Sequence, residues 1–163
     1  MTGGIVLGGA GVGCANMVSK PADTIRNNTN VLADDPDLFF TVEANSIYLV
    51  FLFLRFDVKT ASAFRYNFSA PAGASMVGPP TEPLAAVWPA SFALDTELDL
   101  TNVLGYNILA FGGDTVKQMA PVVAFVITGA TPGTVTFRWC QGTAVLEDTT
   151  VYRGSTIAYR KVA

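Results

Sequence analysis

An uninterrupted apolar segment, Ile47–Leu54, is the feature of this sequence that most constrains its fold. All eight of its residues are aromatic or aliphatic. This length and composition favour a strand over a helix, and a strand with one face in water would alternate polar and apolar residues. The segment therefore predicts a central strand covered on both faces. We expect the protein core on one side, and a second subunit or the N-terminal segment on the other.

The composition of the whole chain agrees with this excess of apolar surface. Half of its 163 residues are hydrophobic, only 14% are charged, and histidine is absent. The outer surface of a single small domain needs enough polar groups to be hydrated. The excess of apolar residues therefore predicts burial against another protein chain. The absence of histidine removes the commonest general base and metal ligand, and no GxSxG motif occurs. We therefore expect a structural subunit, without a cofactor, rather than an enzyme.

Residues 1–19 differ from the rest of the chain because they contain six glycines and no charged residue. Glycine loses the most conformational entropy on ordering, so such a segment does not fold alone. We predict an extended arm that contacts neighbouring subunits through its apolar residues Ile5, Val6, Leu7 and Val12. The glycines at 9 and 11 do not form a dinucleotide fingerprint, because Cys14 occupies the third glycine position.

Residues 20–163 contain eight or nine strand-like segments, separated by turn signals, and no convincing amphipathic helix. The segment Thr134–Gln141 alternates, which predicts that Val135, Phe137 and Trp139 face inward. Short strands at this spacing are typical of a sandwich or barrel. We predict an all-β fold, a jelly-roll-like antiparallel β-sandwich over residues 20–163, with the extended arm over residues 1–19.

Acidic residues and prolines mark the predicted turns and loops. Asp34, Asp35 and Asp37 surround a proline and predict a solvated turn; they lack the spacing of an EF-hand, and a calcium ion remains an open alternative. The acidic residues of segment 95–99 alternate with leucines, which indicates an exposed edge strand. Ala70–Pro83 contains four prolines and two glycines, so we expect a long loop there. Surface contacts are expected from the loop and its surroundings, at Pro71, Met76, Pro80 and Trp88.

Charge and apolar run length limit the partners. The net charge is −3 and no basic stripe occurs, so no nucleic-acid partner is expected. The longest apolar runs, Ile47–Leu54 and Pro121–Ile127, are far shorter than the roughly 20 residues that cross a bilayer, so no membrane partner is expected.

The only two cysteines, Cys14 and Cys140, are expected to be unpaired and to act as small apolar residues.

Several short motifs are spread along residues 20–163. They are KPAD at 20–23, LADDPDL at 32–38, VEAN at 42–45 before a strand with Tyr48, PAGA at 71–74, FRWCQ at 137–141, Gly154-Ser155 and Arg160-Lys161. Together they resemble a module that recurs in structural proteins of tailed phages of actinobacteria. That module has W-A-Q where this chain has Trp139, Cys140 and Gln141, so Cys140 departs from the pattern.

The resemblance implies a trimeric virion component, on the capsid surface or in the tail, and it transfers no catalytic residue. Tail fibres typically extend through coiled-coil heptads, a collagen-like repeat or a second domain. The sequence shows no heptads and no collagen-like repeat, and we expect no second domain. We therefore expect a capsid decoration (cement) protein, a homotrimer that binds the major capsid protein and stabilises the head. We expect Phe51 and Phe53 at the trimer interface. The alternative is a tail-associated receptor- or carbohydrate-binding module, that is, a minor tail protein.

Overall fold

The computed structural model describes residues 15–59, 61–77, 97–99, 106–108 and 117–163. These residues form twelve strands, and no helix occurs among them. The strands are β1 (Asn16–Ser19), β2 (Thr24–Arg26), β3 (Ala33–Val42), β4 (Ile47–Asp57), β5 (Phe64–Ser69), β6 (Ser75–Val77), β7 (Glu97–Asp99), β8 (Tyr106–Ile108), β9 (Gln118–Ile127), β10 (Gly133–Gln141), β11 (Thr149–Val151) and β12 (Thr156–Lys161).

The strands form two antiparallel sheets, which confirms the all-β class. The wide sheet has eight strands, and six of them follow the order β1-β12-β4-β9-β6-β7. The other two lie beside β4, beyond the start of β12: β11 pairs with β4, and β2 pairs with β11. The narrow sheet has four strands, in the order β3-β10-β5-β8. Strand β7 lies at one edge of the wide sheet, as its alternating acidic residues predict.

The two sheets pack face to face as a sandwich. Phe56 of β4 contacts Phe64 of β5 with ring centroids 4.7 Å apart. Phe40 of β3 stacks on Tyr159 of β12 at 4.3 Å. The three residues of β10 predicted to face inward are all fully buried in this core: Val135, Phe137 and Trp139.

Strand β4 is central in the wide sheet, as the apolar segment predicts. It pairs with β9 from Ile47 to Phe56, and with β12 and β11 along its other edge. Its exposure alternates: Leu52 and Leu54 are completely buried, whereas Phe53 between them is 44% exposed. One face of this apolar strand therefore lies in the core, and the other lies on the surface of the chain.

Two neighbouring segments, Lys20–Asp23 and Tyr152–Ser155, interrupt the edge of the wide sheet side by side. The amide of Lys20 donates to the carbonyl of Ser155 at 2.8 Å, and the amide of Gly154 donates to the carbonyl of Lys20 at 2.9 Å. Gly154 has φ = 80°, a left-handed conformation that glycine adopts without strain. At this interruption the Lys20 side chain is completely buried.

The predicted turn at Asp34–Asp37 is wrong, because these residues lie within β3. The pairing of β3 with β10 shifts register between Thr136 and Arg138, so β3 carries extra residues as a bulge. The side chain of Asp35 is completely buried and bonds to Lys20 and Trp139. These partners explain why a proline-containing acidic segment lies inside the sheet and not in a solvated turn.

The predicted long loop at Ala70–Pro83 contains strand β6, and the expectation of a surface contact at Met76 is wrong. Met76 pairs with Val126 of β9 and is buried. Its neighbours in β6 point the other way, because successive side chains of a strand alternate between faces. Pro71 is partly exposed in the turn before β6. Pro80 and Trp88 lie outside the described residues.

The described part of the predicted arm belongs to the sheet. Residues 16–19 form β1, which pairs with β12 from Asn16↔Tyr159 to Ser19↔Thr156. These four residues contain no glycine, unlike the preceding segment. The arm residues predicted to contact neighbouring subunits all lie outside the described residues: Ile5, Val6, Leu7 and Val12.

Candidate interaction surface and buried charged cluster

The face of the wide sheet that points away from the narrow sheet is largely apolar. We call this surface the outer face; its apolar residues come mainly from β1, β12, β4 and β9. Five of them, on three strands, are exposed large hydrophobic side chains: Met17, Phe53, Met119, Val123 and Phe125. Because isolated soluble domains seldom expose contiguous apolar surface, such a face is typical of a protein–protein contact.

The two residues predicted to form the trimer interface lie at the centre of the outer face. Phe51 and Phe53 are two residues apart on β4, so their side chains share a face, and their rings stack at 6.5 Å with a 9° angle between planes. Phe51 lies opposite Val123 of β9 and Ala158 of β12. Phe53 lies opposite Pro121 of β9. Cross-strand neighbours therefore extend the apolar surface on both sides of β4.

The opposite surface of the sandwich, on the narrow sheet, has a different composition. Its outward positions on β3, β10 and β5 are mainly polar: Thr41, Thr134, Thr136, Arg138, Arg65 and Ser69. Arg138 Nε lies 2.9 Å from Asp34 Oδ1 on this surface. Phe39 is an exposed aromatic residue there. Strands β3, β10 and β5 of the narrow sheet therefore expose one large apolar side chain, whereas the outer face of the wide sheet exposes five.

A buried charged cluster joins the edge of the wide sheet to the narrow sheet. Lys20 Nζ lies 2.8 Å from Asp35 Oδ1 and 2.8 Å from Asp37 Oδ2. The side chains of Lys20 and Asp35 are completely buried, and that of Asp37 is 26% exposed. We call these three residues, together with Trp139, the Lys20 cluster.

Both carboxylate oxygens of Asp35 accept hydrogen bonds. Trp139 Nε1 donates to Oδ2 at 3.0 Å, and the backbone amides of Asp37 and Leu38 donate to Oδ1 at 3.1 and 3.2 Å. Lys20 Nζ also donates to Oδ1. A buried charge is tolerated only when it is paired and hydrogen-bonded, and Asp35 meets both conditions.

Arg26 of β2 lies beside the Lys20 cluster. Its guanidinium lies 4.2 Å from the centroid of the Trp139 ring and donates to the carbonyls of Ala33 at 2.9 Å, Asp34 at 2.7 Å and Trp139. Burial lowers the pKa of Arg26 from its usual value, while the nearby Asp35 acts in the opposite direction. Arg26 thus holds the start of β3 and the end of β10 together.

The calcium alternative at Asp34, Asp35 and Asp37 receives no support from this geometry. Asp35 and Asp37 both bind the Lys20 ammonium, and Asp34 pairs with Arg138. A cation at these oxygens would have to displace protein cations that already satisfy them. Among the described residues, no group of three or more metal-ligating side chains is placed to hold an ion.

A polar depression of about 450 Å³ lies beside the interruption in the wide sheet. Arg55, Lys117 and Arg153 line it together with Tyr152. The Tyr152 hydroxyl donates to Asp57 Oδ2 at 2.8 Å. Burial and this hydrogen bond raise the pKa of Tyr152 to about 12. Lys117 Nζ lies 4.4 Å from the centroid of the Tyr152 ring, so an ammonium already occupies one aromatic face that a sugar would need.

Cys140 is a free, completely buried thiol, as expected of a small apolar residue. Burial raises its pKa, which disfavours the reactive thiolate. Its possible partner, Cys14, lies outside the described residues. No helix long and apolar enough to cross a membrane occurs in the described ranges.

Sequence reasoning missed the Lys20 cluster. The residues were visible as two motifs, KPAD and DDPD, but nothing in either motif shows that a lysine and an aspartate 15 positions apart face each other inside the protein. A lysine directly before a proline, at the end of a strand, was the only local signal. Comparison with protein-family models, curated proteins and solved structures found no match.

Proposed function

We propose that the protein is a structural subunit of a phage virion, a homotrimeric capsid decoration protein that binds the major capsid protein and stabilises the head. The observation that carries this proposal is the outer face, where Phe51, Phe53, Val123 and Phe125 form an apolar surface on a sheet of this single chain. Obligate subunit interfaces are more apolar than ordinary surfaces. The assignment to a virion is supported by the motif resemblance.

The strand order supports a jelly-roll assignment. If β6 and β7 are regarded as an insertion between β5 and β8, the orders β1-β12-β4-β9 and β3-β10-β5-β8 are those of two interlocked Greek keys. Jelly rolls of this type are common in viral capsid domains, although they also occur in lectins. This topology favours a virion subunit without identifying its position on the particle.

The position of β1 supports a role for the preceding residues in holding the subunit on the particle. Strand β1 is an edge strand of the wide sheet, and its residue Met17 belongs to the outer face. The segment with the proposed contact residues Ile5, Val6, Leu7 and Val12 therefore joins the described chain at an edge of the outer face. Three arms acting together bind far more tightly than one, because the second and third contacts become intramolecular.

The trimer interface is tested with one charged substitution and a matched control. Phe53→Glu places a carboxylate on the outer face, where Phe53 is 44% exposed; Phe39→Glu does the same on the narrow sheet, where Phe39 is 45% exposed. Light scattering after gel filtration should find trimers for the unmodified chain and Phe39→Glu, and monomers for Phe53→Glu. A folded Phe53→Glu trimer would contradict the proposed interface, and a monomeric unmodified chain would contradict the trimer.

The arm is tested by deleting residues 1–14 only, because residues 16–19 belong to the sheet. The truncated protein should remain trimeric but be lost from purified particles on washing. Undiminished retention would contradict the arm's role. Electron microscopy of particles labelled with an antibody to this chain then distinguishes the capsid from the tail-associated alternative: label on the head supports decoration, and label on the tail contradicts it.

A further inference from the structure

We propose that Lys20 and Asp35 condense to form an intramolecular amide bond, an isopeptide, with Asp37 as the proton carrier. The bond would join Nζ of Lys20 to Cγ of Asp35 and release one water molecule. It would connect the edge segment between β1 and β2 to strand β3, and so crosslink the two sheets covalently.

The geometry places the reacting groups together in a site closed to solvent. Lys20 Nζ is 2.8 Å from Asp35 Oδ1, and neither side chain has any exposed surface. Holding an amine against a carboxyl group in this way replaces a collision in water by an intramolecular step, which is a large kinetic advantage. Burial also removes the bulk water that would reverse the condensation.

Asp37 lies where a proton carrier is needed. Its Oδ2 is 2.8 Å from Lys20 Nζ and its side chain is partly exposed, unlike that of Asp35. The ammonium of Lys20 first gives a proton, through Asp37, to the carboxylate of Asp35, which leaves a neutral carboxyl group and a neutral amine with a free electron pair. That pair attacks Cγ of Asp35, and the nitrogen loses a second proton as the C–N bond forms.

The atoms balance without a co-reactant. An ammonium and a carboxylate become an amide and water: both hydrogens of the water come from Lys20, and its oxygen comes from Asp35. Asp37 passes each proton from Nζ to the carboxyl group of Asp35 and ends as it began. No oxidant, reductant or activated ester is required.

The donors around Asp35 stabilise the negative oxygen of the tetrahedral intermediate. The backbone amides of Asp37 and Leu38 both point at Oδ1, at 3.1 and 3.2 Å, as in an oxyanion hole. Trp139 Nε1 binds Oδ2 at 3.0 Å. The guanidinium of Arg26 is close enough to interact electrostatically with Asp35. We infer that Oδ1 becomes the amide oxygen and that Oδ2 leaves as water.

The bond gives the cluster a mechanical role that an ion pair does not. The segment that precedes β1 would be tied to the domain through Lys20, directly after β1, so tension on the N-terminal segment would pass into a covalent link to β3. The transfer of tension matters most if the arm binds neighbouring capsid subunits, but the bond itself does not depend on the proposed function.

The intact mass of the purified full chain in denaturant tests the bond directly. We expect the chain to weigh one water molecule less than its sequence requires, after allowing for any removal of Met1. The Asp35→Ala variant should show no such deficit. A full sequence mass for the unmodified protein, unchanged after prolonged incubation, would overturn the proposal whatever the protein does on a particle.

Peptide mapping locates the bond. Trypsin does not cut between Lys20 and Pro21, so Lys20 lies in the peptide that ends at Arg26, and Asp35 lies in the peptide that ends at Arg55. We expect a branched species that joins these two peptides. Recovery of both as separate peptides, with a water lost elsewhere, would exclude this pair.

Two further variants separate the chemistry from the fold. Asp35→Asn should still react but release ammonia instead of water, so its product should have the same intact mass as the crosslinked unmodified chain. Asp37→Asn removes the proton carrier and should leave most of the chain unlinked although folded. Asp34→Asn, a matched change at a carboxylate that pairs with Arg138, should crosslink as fully as the unmodified chain. Complete crosslinking in Asp37→Asn would contradict the role of Asp37.

Discussion

The Lys20 cluster and the outer face invert the usual distribution of residues in a soluble protein. In the Lys20 cluster, a lysine and an aspartate are completely enclosed. On the outer face, phenylalanine and methionine side chains lie at the surface. Charged residues are almost never fully buried unless paired, and large contiguous apolar patches are uncommon on monomers. Both regions therefore raise the free energy of the folded chain unless other groups pair with the charges or cover the apolar surface.

The two regions differ in where that compensation comes from. Asp35 receives its hydrogen bonds from Lys20, Trp139 and the backbone of its own strand, so the cluster is complete within one chain. Phe53 and its neighbours find no such cover in the described residues. The cluster therefore stabilises the fold of the chain, whereas the proposed function assigns the outer face to assembly. Substitutions in the two regions should separate stability from association.

Replacing Lys20 with methionine should have the largest effect on stability. The substitution leaves the buried carboxylate of Asp35 and the partly exposed carboxylate of Asp37 without their cation. Removing one partner of a buried pair costs about 3–5 kcal/mol. We expect a loss of this size in the free energy of unfolding, measured by urea denaturation with tryptophan fluorescence.

The matched control for that experiment neutralises the second partner as well. In Lys20→Met/Asp35→Asn, the amide oxygen still accepts from Trp139, and no charge remains at position 35. We expect the double variant to be more stable than Lys20→Met alone. If the double variant is no more stable than Lys20→Met, the pair is not coupled as its 2.8 Å separation indicates.

Substitutions at two neighbouring residues of β4 should likewise separate the stability of the single chain from its association. Leu52 is completely buried, so Leu52→Ala should cost about 2–5 kcal/mol at any protein concentration. Phe53→Ala should cost within about 0.5 kcal/mol in the dilute monomer, because an exposed side chain contributes little to the protomer.

The dependence of stability on protein concentration distinguishes Leu52→Ala from Phe53→Ala. If Phe53 contributes to a trimer, the stability difference between Phe53→Ala and the unmodified chain should grow with protein concentration, since association stabilises the folded state by mass action. For Leu52→Ala the difference should stay constant. A concentration-independent effect at Phe53 would show that its burial is intramolecular.

Most of the fold was predictable from periodicity. The alternation of Val135, Phe137 and Trp139 and the uninterrupted segment Ile47–Leu54 place a buried and a central strand correctly, because side-chain alternation is a local property of a strand. The same reasoning failed at Met76, where nearby prolines and glycines obscured a three-residue strand.

The Lys20 cluster was not predictable, because its stability is a tertiary property. Asp35 lies in a segment whose composition is typical of a turn, and its burial depends on Lys20, Trp139 and a bulge in β3. None of these partners is adjacent in the sequence. The outer face, by contrast, could be predicted from the sequence. The segment with Phe51 and Phe53 is apolar on both faces, and the chain has too few charged residues to give a single domain a fully polar surface.

Tyr152 lies between the two extremes, as a half-buried polar side chain whose pKa is raised to about 12 by burial and by its bond to Asp57. In the unfolded chain a tyrosine ionises near pH ~10. The neutral form is therefore favoured by folding: its stabilisation is complete below the unfolded pKa and is lost as the pH rises through the folded pKa. From about pH 10 to 12, the unmodified chain should lose more stability than Tyr152→Phe. Equal losses in urea titrations across that range would contradict the contact with Asp57.

Replacing Lys161 with methionine should have the smallest effect, although it also removes a lysine–carboxylate pair. Lys161 Nζ lies 2.6 Å from Glu43 Oε2, closer than Lys20 lies to Asp35, but the two side chains are 44% and 71% exposed. The hydrogen bond to Glu43 raises the pKa of Lys161, yet water hydrates both groups when the pair is broken. We expect no measurable change in the urea midpoint. If Lys161→Met destabilises the chain as much as Lys20→Met, then burial is not what makes the Lys20 pair important, and the contrast between the two regions fails.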